Sequence, residues 1–94
     1  MNTFTVEYVY ATDQAEKMDA LRPDHRTFLR GLHEQDVVVA VGSWATPAPG
    51  AYVFLRAEDE SEALELLNND PFLINNLIVD RKVHPFNLVI GLGK

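Results

Sequence analysis

The order in which hydrophobic spacing changes along the chain limits the fold most strongly. Residues 2–10, "NTFTVEYVY", alternate with the period of two expected of a strand, and residues 12–36 have helical spacing. Two short β-branched runs, a second helical stretch and a last alternating run follow. The order β-α-β-β-α-β is typical of the ferredoxin-like split βαβ fold, in which two helices cover one face of a four-stranded antiparallel sheet. We therefore expect one α+β domain over residues 1–94.

The first helical stretch is interrupted by a proline and places a histidine among apolar residues. Asp13 and Glu16, three residues apart, predict a capping box where the helix begins. Because Pro23 lacks an N–H and clashes with the preceding turn, we expect the helix to kink or restart there. The apolar stripe, at spacings of three and four, comprises Leu21, His25, Phe28, Leu29 and Leu32. His25 is therefore expected to point toward the sheet.

The two strands in the middle of the chain are apolar on both faces. Residues 37–44, "VVVAVGSW", and residues 51–57, "AYVFLRA", are separated by the turn-like "ATPAPG", which predicts an antiparallel hairpin. Two helices cover only one face of the sheet, and an exposed apolar face of this size exceeds what a soluble monomer usually shows. We expect a two-fold homodimer packed sheet against sheet. The alternative is a half-exposed sheet face covered by tyrosine and tryptophan side chains.

A capping box predicts the second helix, and the start of a further, very short helix follows it. Asp59 and Glu62 are three residues apart and open the stretch "SEALELLNN". Asp70 then precedes Pro71, a pair that predicts the N-cap and first position of a single short helical turn. The sequence thus places Asp70 at a helix N-terminus.

The last alternating run, residues 77–91, predicts an edge strand. Leu77, Val79 and Val83 are expected to face inward, and the charged residues between them to face outward. Charged side chains and Pro85 are tolerated where one side of a strand has no partner. We therefore expect this strand at the border of the sheet.

Composition argues against several classes of partner. The net charge of −6, from 8 Lys and Arg against 14 Asp and Glu, disfavours nucleic acid and anionic lipid. No apolar run approaches the roughly 20 residues that span a bilayer, and the first residues lack the basic region of a signal peptide. Cysteine is absent, which removes disulfides, thiolate catalysis and sulfur-ligated zinc. We expect a cytoplasmic protein whose partners are itself and a small molecule.

The three histidines are the candidates for chemistry, because no glycine-rich phosphate motif is present. His33 and His84 are expected to be solvated, and no histidine pair has the i, i+4 spacing of a metal site. We therefore expect neither a metal nor a cofactor. A buried His25 needs a hydrogen-bond partner, or it costs about 1 to 3 kcal/mol, and a carboxylate would fix its tautomer. Asp70 is the candidate partner, but the residues alone favour a structural histidine over a catalytic one.

The segments "RPDHRTFLRGL" and "NNDPFLINNLIVDRKVHPFNLVI" together resemble the YciI-like (YCII-related) family. Its pattern combines an Arg-Pro-x-His helix with an Asp-Pro-aromatic turn, and the likeness covers nearly the whole chain. The resemblance implies a ferredoxin-like domain that dimerises through its sheet as a dimeric α+β barrel. It also implies that His25 and Asp70 form a catalytic dyad and that Arg22 holds an anionic group of the substrate.

One departure from the family pattern concerns the end of the second strand. The family often has Gly-Pro there, where this chain has Gly42-Ser43-Trp44. Ser43 adds a hydroxyl and Trp44 a large flat surface, so both are expected at the substrate site. The substrate preference of relatives therefore does not transfer to this chain.

Two functional hypotheses follow. The first is a small cofactor-free lyase or isomerase in which His25, oriented by Asp70, moves a proton on a small cyclic or anionic metabolite. Dehydrochlorinase-like and lactone-isomerase-like reactions would suit such a base, by analogy with similar folds. The second is a non-catalytic dimeric module that binds a metabolite or a protein. The substrate, the reaction and the pathway are not encoded in these patterns.

Overall fold

The computed structural model describes residues 2–87 and 89–90. Residue 88 and residues 91–94, which include the end of the predicted last strand, lie outside the described residues, as does residue 1. The elements in chain order are β1 (Asn2–Tyr10), α1 (Ala15–Glu34), β2 (Val38–Trp44), β3 (Gly50–Ala57), α2 (Glu60–Leu66), α3 (Pro71–Ile74) and β4 (Ile78–Pro85). The strands form one antiparallel sheet in the order β2-β3-β1-β4. The predicted α+β, ferredoxin-like fold is confirmed.

The core lies between the helices and one face of the sheet. Register pairs join Phe4 to Leu55 and Val6 to Val53, and all four side chains are buried. The helices close this layer with Met18, Leu29, Ala63, Leu67 and Phe72. Full burial of each large side chain stabilises the fold by about 1.5 to 3 kcal/mol before entropy is subtracted. The alternation read from β1 therefore predicted the face that the helices cover.

Helix α1 begins one residue later than its predicted capping box requires. Its N-cap is Gln14, and no side chain there accepts a hydrogen bond from the first turn. The capping box of Asp13 and Glu16 is therefore wrong. With Gln14 as N-cap, the third helical position is Lys17, so neither acidic side chain occupies the position that the motif needs.

The helix also continues through its proline. It runs without a break from Ala15 to Glu34, so the predicted restart at Pro23 is wrong. Met18 and Leu29, one on either side of the proline, are both buried in the same core. Packing on both sides of Pro23 offsets the about 3 kcal/mol that proline costs in a helix interior.

An extra residue in β2 decides which side chains of that strand face the helices. Val38 pairs with Leu55, but Ala40 pairs with Phe54, so Val39 is an inserted residue, as in a β-bulge. After it, Val41 pairs with Val53 and therefore shares the helix side of the sheet with Val38. Strict alternation would have separated Val38 from Val41.

A second irregularity changes the start of β4. Asp80 pairs with Val9 and Ile78 with Tyr10, which leaves Val79 as the extra residue. Val79 is 62% exposed, whereas Ile78 is buried, so the predicted inward position of Val79 is wrong. Leu77 is buried and Val83 pairs with Val6 on the helix side, and both agree with the prediction. β4 is an edge strand, as expected.

The sheet face opposite the helices, called the open face below, carries aromatic side chains. Trp44 lies against Tyr52 with ring centroids 5.1 Å apart. Phe54 lies against Phe86 with ring centroids 5.3 Å apart. Tyr52 is 45% exposed. The two-sided apolar character predicted for the hairpin is therefore present, and the helices leave this side uncovered.

Candidate functional site

The site is built around the imidazole of His25, which α1 directs into the core. The side chain is buried, with 7% of its surface exposed. Its Nδ1 lies 2.7 Å from Oδ1 of Asp70, which α3 supplies from the other side. Asp70 is fully buried. A histidine and an aspartate 45 residues apart in sequence therefore form one buried hydrogen-bonded pair.

Both oxygens of the Asp70 carboxylate accept hydrogen bonds. Oδ1 also accepts from the backbone N–H of Phe72 at 2.9 Å, which makes Asp70 the N-cap of α3. Oδ2 accepts from the hydroxyl of Tyr8 at 3.2 Å. The two roles that the sequence suggested for Asp70, N-capping and binding the histidine, are thus carried out by the same carboxylate.

The ring of His25 is also held in orientation by Phe72. The two rings are stacked, with centroids 3.9 Å apart and planes 6° from parallel. Phe72 is itself buried and meets Tyr10 edge to face. A stacked neighbour on one face and a carboxylate at Nδ1 leave the imidazole little freedom to rotate. Its remaining nitrogen, Nε2, therefore has a fixed direction.

Nε2 of His25 is accessible rather than buried. In residues 2–87 and 89–90, every buried side-chain nitrogen or oxygen has a hydrogen-bond partner. His25 contributes to the wall of a cavity of about 790 Å³ between α1 and strands β2 and β3. With Nδ1–H donated to Asp70, neutral His25 carries its lone pair on Nε2. The arrangement can therefore remove a proton from a molecule in the cavity.

The cavity has an apolar floor and a polar rim. The floor is formed by Met18, Leu29, Val38, Ala51 and Phe72. The rim is formed by Arg22, Arg26, Arg30 and His33 of α1 together with Ser43 and Trp44 of β2. The floor suits a flat apolar group, and the rim suits charged or hydroxyl groups on it.

The residues predicted to bind substrate all line this cavity. Arg22 pairs with Asp19 one helical turn away. Ser43 is exposed on the edge strand β2 and shares the helix side of the sheet with Val41. The indole of Trp44 lies over Gly50, where an added Cβ would stand 2.6 Å from its Cζ2 atom. The structure thus places Arg22 and Ser43 at the cavity that His25 lines, whereas the indole of Trp44 packs against Tyr52 on the open face. Asp70 lies behind the imidazole.

Two tyrosines and one phenylalanine of the site were not predicted from the sequence. Burial, and next the negative charge of Asp70, raise the pKa of Tyr8 far above its ordinary value. The same two causes raise the pKa of Tyr10 to about 12. The period of two in β1 puts both tyrosines on one face of the strand, but no spacing rule connects Tyr8 to a carboxylate 62 residues away. Phe72 was detectable only as the aromatic residue of the Asp-Pro-aromatic turn.

The other two histidines lie outside the buried pair. His33 is exposed, lines the cavity rim and lies with Nδ1 2.8 Å from the carbonyl oxygen of Val38. His84 is exposed on β4, opposite Thr5. Within the described part of the chain, no three histidine, aspartate or glutamate side chains lie close enough to share a metal ion. In the same residues, no helix has the length and apolar content needed to cross a bilayer.

Comparisons with known proteins agree on the fold. The model of the YCII-related domain matches residues 3–87. The structure of 5-chloro-2-hydroxyhydroquinone dehydrochlorinase from Burkholderia phenoliruptrix AC1100, solved with 2,5-dihydroxybenzoquinone, superposes with a TM-score of 0.78 at 16% identity, over 90% of this chain and 93% of that one. The protein Rv0793 from Mycobacterium tuberculosis superposes with a TM-score of 0.50 at 13% identity, over 94% and 97%. No curated protein sequence matches the chain. At these identities the likenesses show the fold alone.

Proposed function

Since the chain belongs to the YCII-related domain family, we propose that it is a small lyase or isomerase in which His25 and Asp70 act as a catalytic dyad. The substrate class is a small cyclic or anionic metabolite. The observation that carries the proposal is the 2.7 Å contact between Nδ1 of His25 and Asp70, with the opposite ring nitrogen accessible at the cavity.

His25 would act as a general base through Nε2. It would take a proton from a carbon or hydroxyl next to a carbonyl or phenol, and the Asp70 carboxylate would stabilise the imidazolium that forms. The electron pair left on the substrate then either expels a leaving group such as chloride or takes the proton back at another atom. The first outcome is an elimination and the second an isomerisation. Neither reaction needs a metal or a thiol.

The apolar floor of the cavity supports a ring-shaped substrate. Val38 and Ala51, both buried in the cavity floor, offer an apolar surface for a flat ring. The dehydrochlorinase of similar fold was solved with a dihydroxylated benzoquinone, a ring of this kind. We propose that Arg22 and Ser43 contact oxygen atoms of the substrate at the rim.

We also propose that the chain forms a homodimer through its open face. The support is the row of aromatic residues there, on the side that the helices leave uncovered. A two-fold dimer would place the two open faces together and bury these rings. The cavities lie on the helix sides, so each protomer keeps its own dyad.

Turnover of small rings tests the enzymatic proposal. Chlorinated hydroxyhydroquinones, other hydroxylated or chlorinated aromatics and lactones are incubated with the wild type, His25→Asn, Asp70→Asn and the control His84→Asn. Ultraviolet absorbance and chloride release are the readouts. Loss of the base should lower turnover at least about a hundredfold, and the exposed His84 should not matter.

Two outcomes contradict the proposal. Equal turnover by the wild type and His25→Asn would show that His25 is not the base. Binding of these compounds without turnover by any variant would favour the alternative, a non-catalytic dimeric module that binds a metabolite. Because Asp70 also caps α3, circular dichroism must show that each variant is folded before its turnover is compared.

A further inference from the structure

Three arginines follow one another along the cavity side of α1. Arg22, Arg26 and Arg30 are spaced four residues apart, and all three line the cavity. Residues four apart on a helix have Cβ atoms about 5 to 6 Å from each other, so neighbouring guanidinium groups reach the same point. They are three of the five arginines in a chain whose net charge is −6. Positive charge is therefore concentrated at the rim of this cavity.

The three arginines differ in what compensates their charge. Arg22 pairs with Asp19, which is the one acidic residue among those that line the cavity in the described chain. Arg26 and Arg30 form no ion pair within 4.0 Å with any residue that the structure describes. Their side chains are exposed. The uncompensated charge therefore lies with Arg26 and Arg30 rather than with Arg22.

The helix places these two arginines at the exposed edge of the cavity and the imidazole at its buried side. Successive residues are 100° apart around a helix axis, so Arg26 is turned by 100° from His25 and Arg30 by 100° from Leu29. His25 and Leu29 face the core, and the two arginines face the solvent at the edge of the cavity. His25 and Arg26 are neighbours in sequence and hence at nearly the same height along the helix axis. A ring resting on the floor beside His25 would therefore extend a substituent outward to the two arginines.

From this placement we propose that Arg26 and Arg30 together bind one carboxylate-sized anionic group of the cavity's ligand. They would then select anionic over neutral substrates. This assignment rests on the proposed function in one respect: it takes the cavity beside His25 as the site where the substrate binds. It assigns the charged group of the ligand to two residues outside the family motif and leaves to Arg22, which pairs with Asp19, a contact with an uncharged oxygen atom. Two guanidinium groups without a competing carboxylate form strong charge-assisted hydrogen bonds to such a group.

Benzoate and benzamide are suitable probes, because they have nearly the same shape and differ in charge. Isothermal titration calorimetry measures the affinity for each probe without relying on Trp44, whose indole packs against Tyr52 on the open face. The wild type should bind benzoate at least about tenfold more tightly than benzamide. Raising the salt concentration should lower the affinity for benzoate and not that for benzamide. Each of the substitutions Arg26→Gln and Arg30→Gln should lower the affinity for benzoate about tenfold and leave the affinity for benzamide unchanged.

Lys17→Gln is the matched control. It removes the same charge from the same helix at a residue outside the cavity, and it should leave both affinities unchanged. Equal affinity for the two probes, or an equal loss of both on changing either arginine, would overturn the proposal. His25→Asn separates the two hypotheses, because it should keep the preference for benzoate. If that preference and its dependence on the arginines persist while no variant turns over any ring, the enzymatic proposal fails and this one stands.

Discussion

Among single residues, Asp70 connects the fold to the site most directly. Its Oδ1 receives both the backbone N–H of Phe72 and the imidazole of His25, and its Oδ2 receives the hydroxyl of Tyr8. The sequence could indicate that Asp70 caps a helix, because an aspartate before a proline is a local signal. It could not indicate the hydrogen bond from Tyr8, because that contact depends on the register of β1 against the rest of the domain.

The tyrosines around Asp70 predict a loss of stability in alkaline solution. Burial and the charge of Asp70 raise the pKa of Tyr10 from an ordinary value of 10 to about 12. Above pH 10 the unfolded chain therefore releases this proton before the folded chain does, and stability falls as pH rises, by up to about 1.4 kcal/mol per pH unit. Below pH 10, Tyr10 should contribute nothing to the pH dependence of the free energy of unfolding. Tyr8, whose pKa is raised in the same direction, adds to the loss.

Urea unfolding followed by circular dichroism between pH 9 and 11.5 measures this loss. Over that range the free energy of unfolding of Tyr10→Phe should fall by about 2 kcal/mol less than that of the wild type, because the variant lacks one of the titrating groups. The matched control is Tyr52→Phe, because the ring of Tyr52 is exposed on the open face. This variant should lose stability with pH as steeply as the wild type. Identical slopes for the wild type and Tyr10→Phe would contradict the shifted pKa.

Gly50 gives a second prediction at the residue scale. A Cβ there would lie 2.6 Å from Cζ2 of Trp44 and 2.8 Å from the backbone oxygen of Tyr8, which cannot both be relieved by moving a side chain. Gly50→Ala should therefore destabilise the domain by about 1 to 3 kcal/mol and change the fluorescence of Trp44. Gly42→Ala, where no atom lies within 4 Å of the added Cβ, is the control and should be nearly neutral. A neutral Gly50→Ala would be inconsistent with this packing.

At the scale of elements, local signals predicted what local interactions decide. The alternation of β1 gave its bounds as observed, Asn2–Tyr10. Half of the capping box of α2 is present: Asp59 accepts from the backbone N–H of Glu62 at 2.8 Å, but the Glu62 carboxylate accepts from the N–H of Glu58 rather than from that of Asp59. The predictions that were wrong concern features that tertiary packing or an inserted residue determines. Helix α1 continues through Pro23 because it packs on both sides of it, and Val79 faces outward because the register shifts beside it.

The two predicted capping boxes allow a direct comparison. Asp59→Ala removes an observed hydrogen bond to the first turn of α2 and should cost about 1 kcal/mol in unfolding free energy. Asp13→Ala removes the side chain of a motif that the structure lacks, so its cost should stay within about 0.5 kcal/mol. Chemical denaturation of both variants measures the difference. Equal costs would mean that the start of α1 is capped by Asp13 after all.

At the scale of the whole molecule, the two faces of the sheet have different uses. One face holds the core and the cavity, and its residues are contributed by every strand and all three helices. The other carries aromatic rings at its surface. The sequence predicted both features from the two-sided apolar hairpin. It could not give the shape of the cavity, which depends on the extra residue at Val39 and on how α1 crosses β2.

Self-association through the open face is expected at micromolar concentration. Sedimentation velocity should give a dimer for the wild type, because the rings around Tyr52 would be buried in it. Tyr52→Glu should give a monomer, since a charge would be left without a partner in the interface. Ile74→Glu, at an exposed apolar residue of α3 on the helix side, is the matched control and should remain dimeric. A monomeric wild type would contradict the packing of sheet against sheet.

The double use of one carboxylate oxygen has a consequence for the timing of assembly. Because Oδ1 of Asp70 caps α3 and also contacts His25, the imidazole is oriented as soon as the chain has folded, before any ligand arrives. The entropic cost of ordering these groups is thus met during folding and not during binding, which is the meaning of preorganisation. A ligand entering the cavity would find a finished proton acceptor, and its binding energy would remain available for selecting one molecule over another.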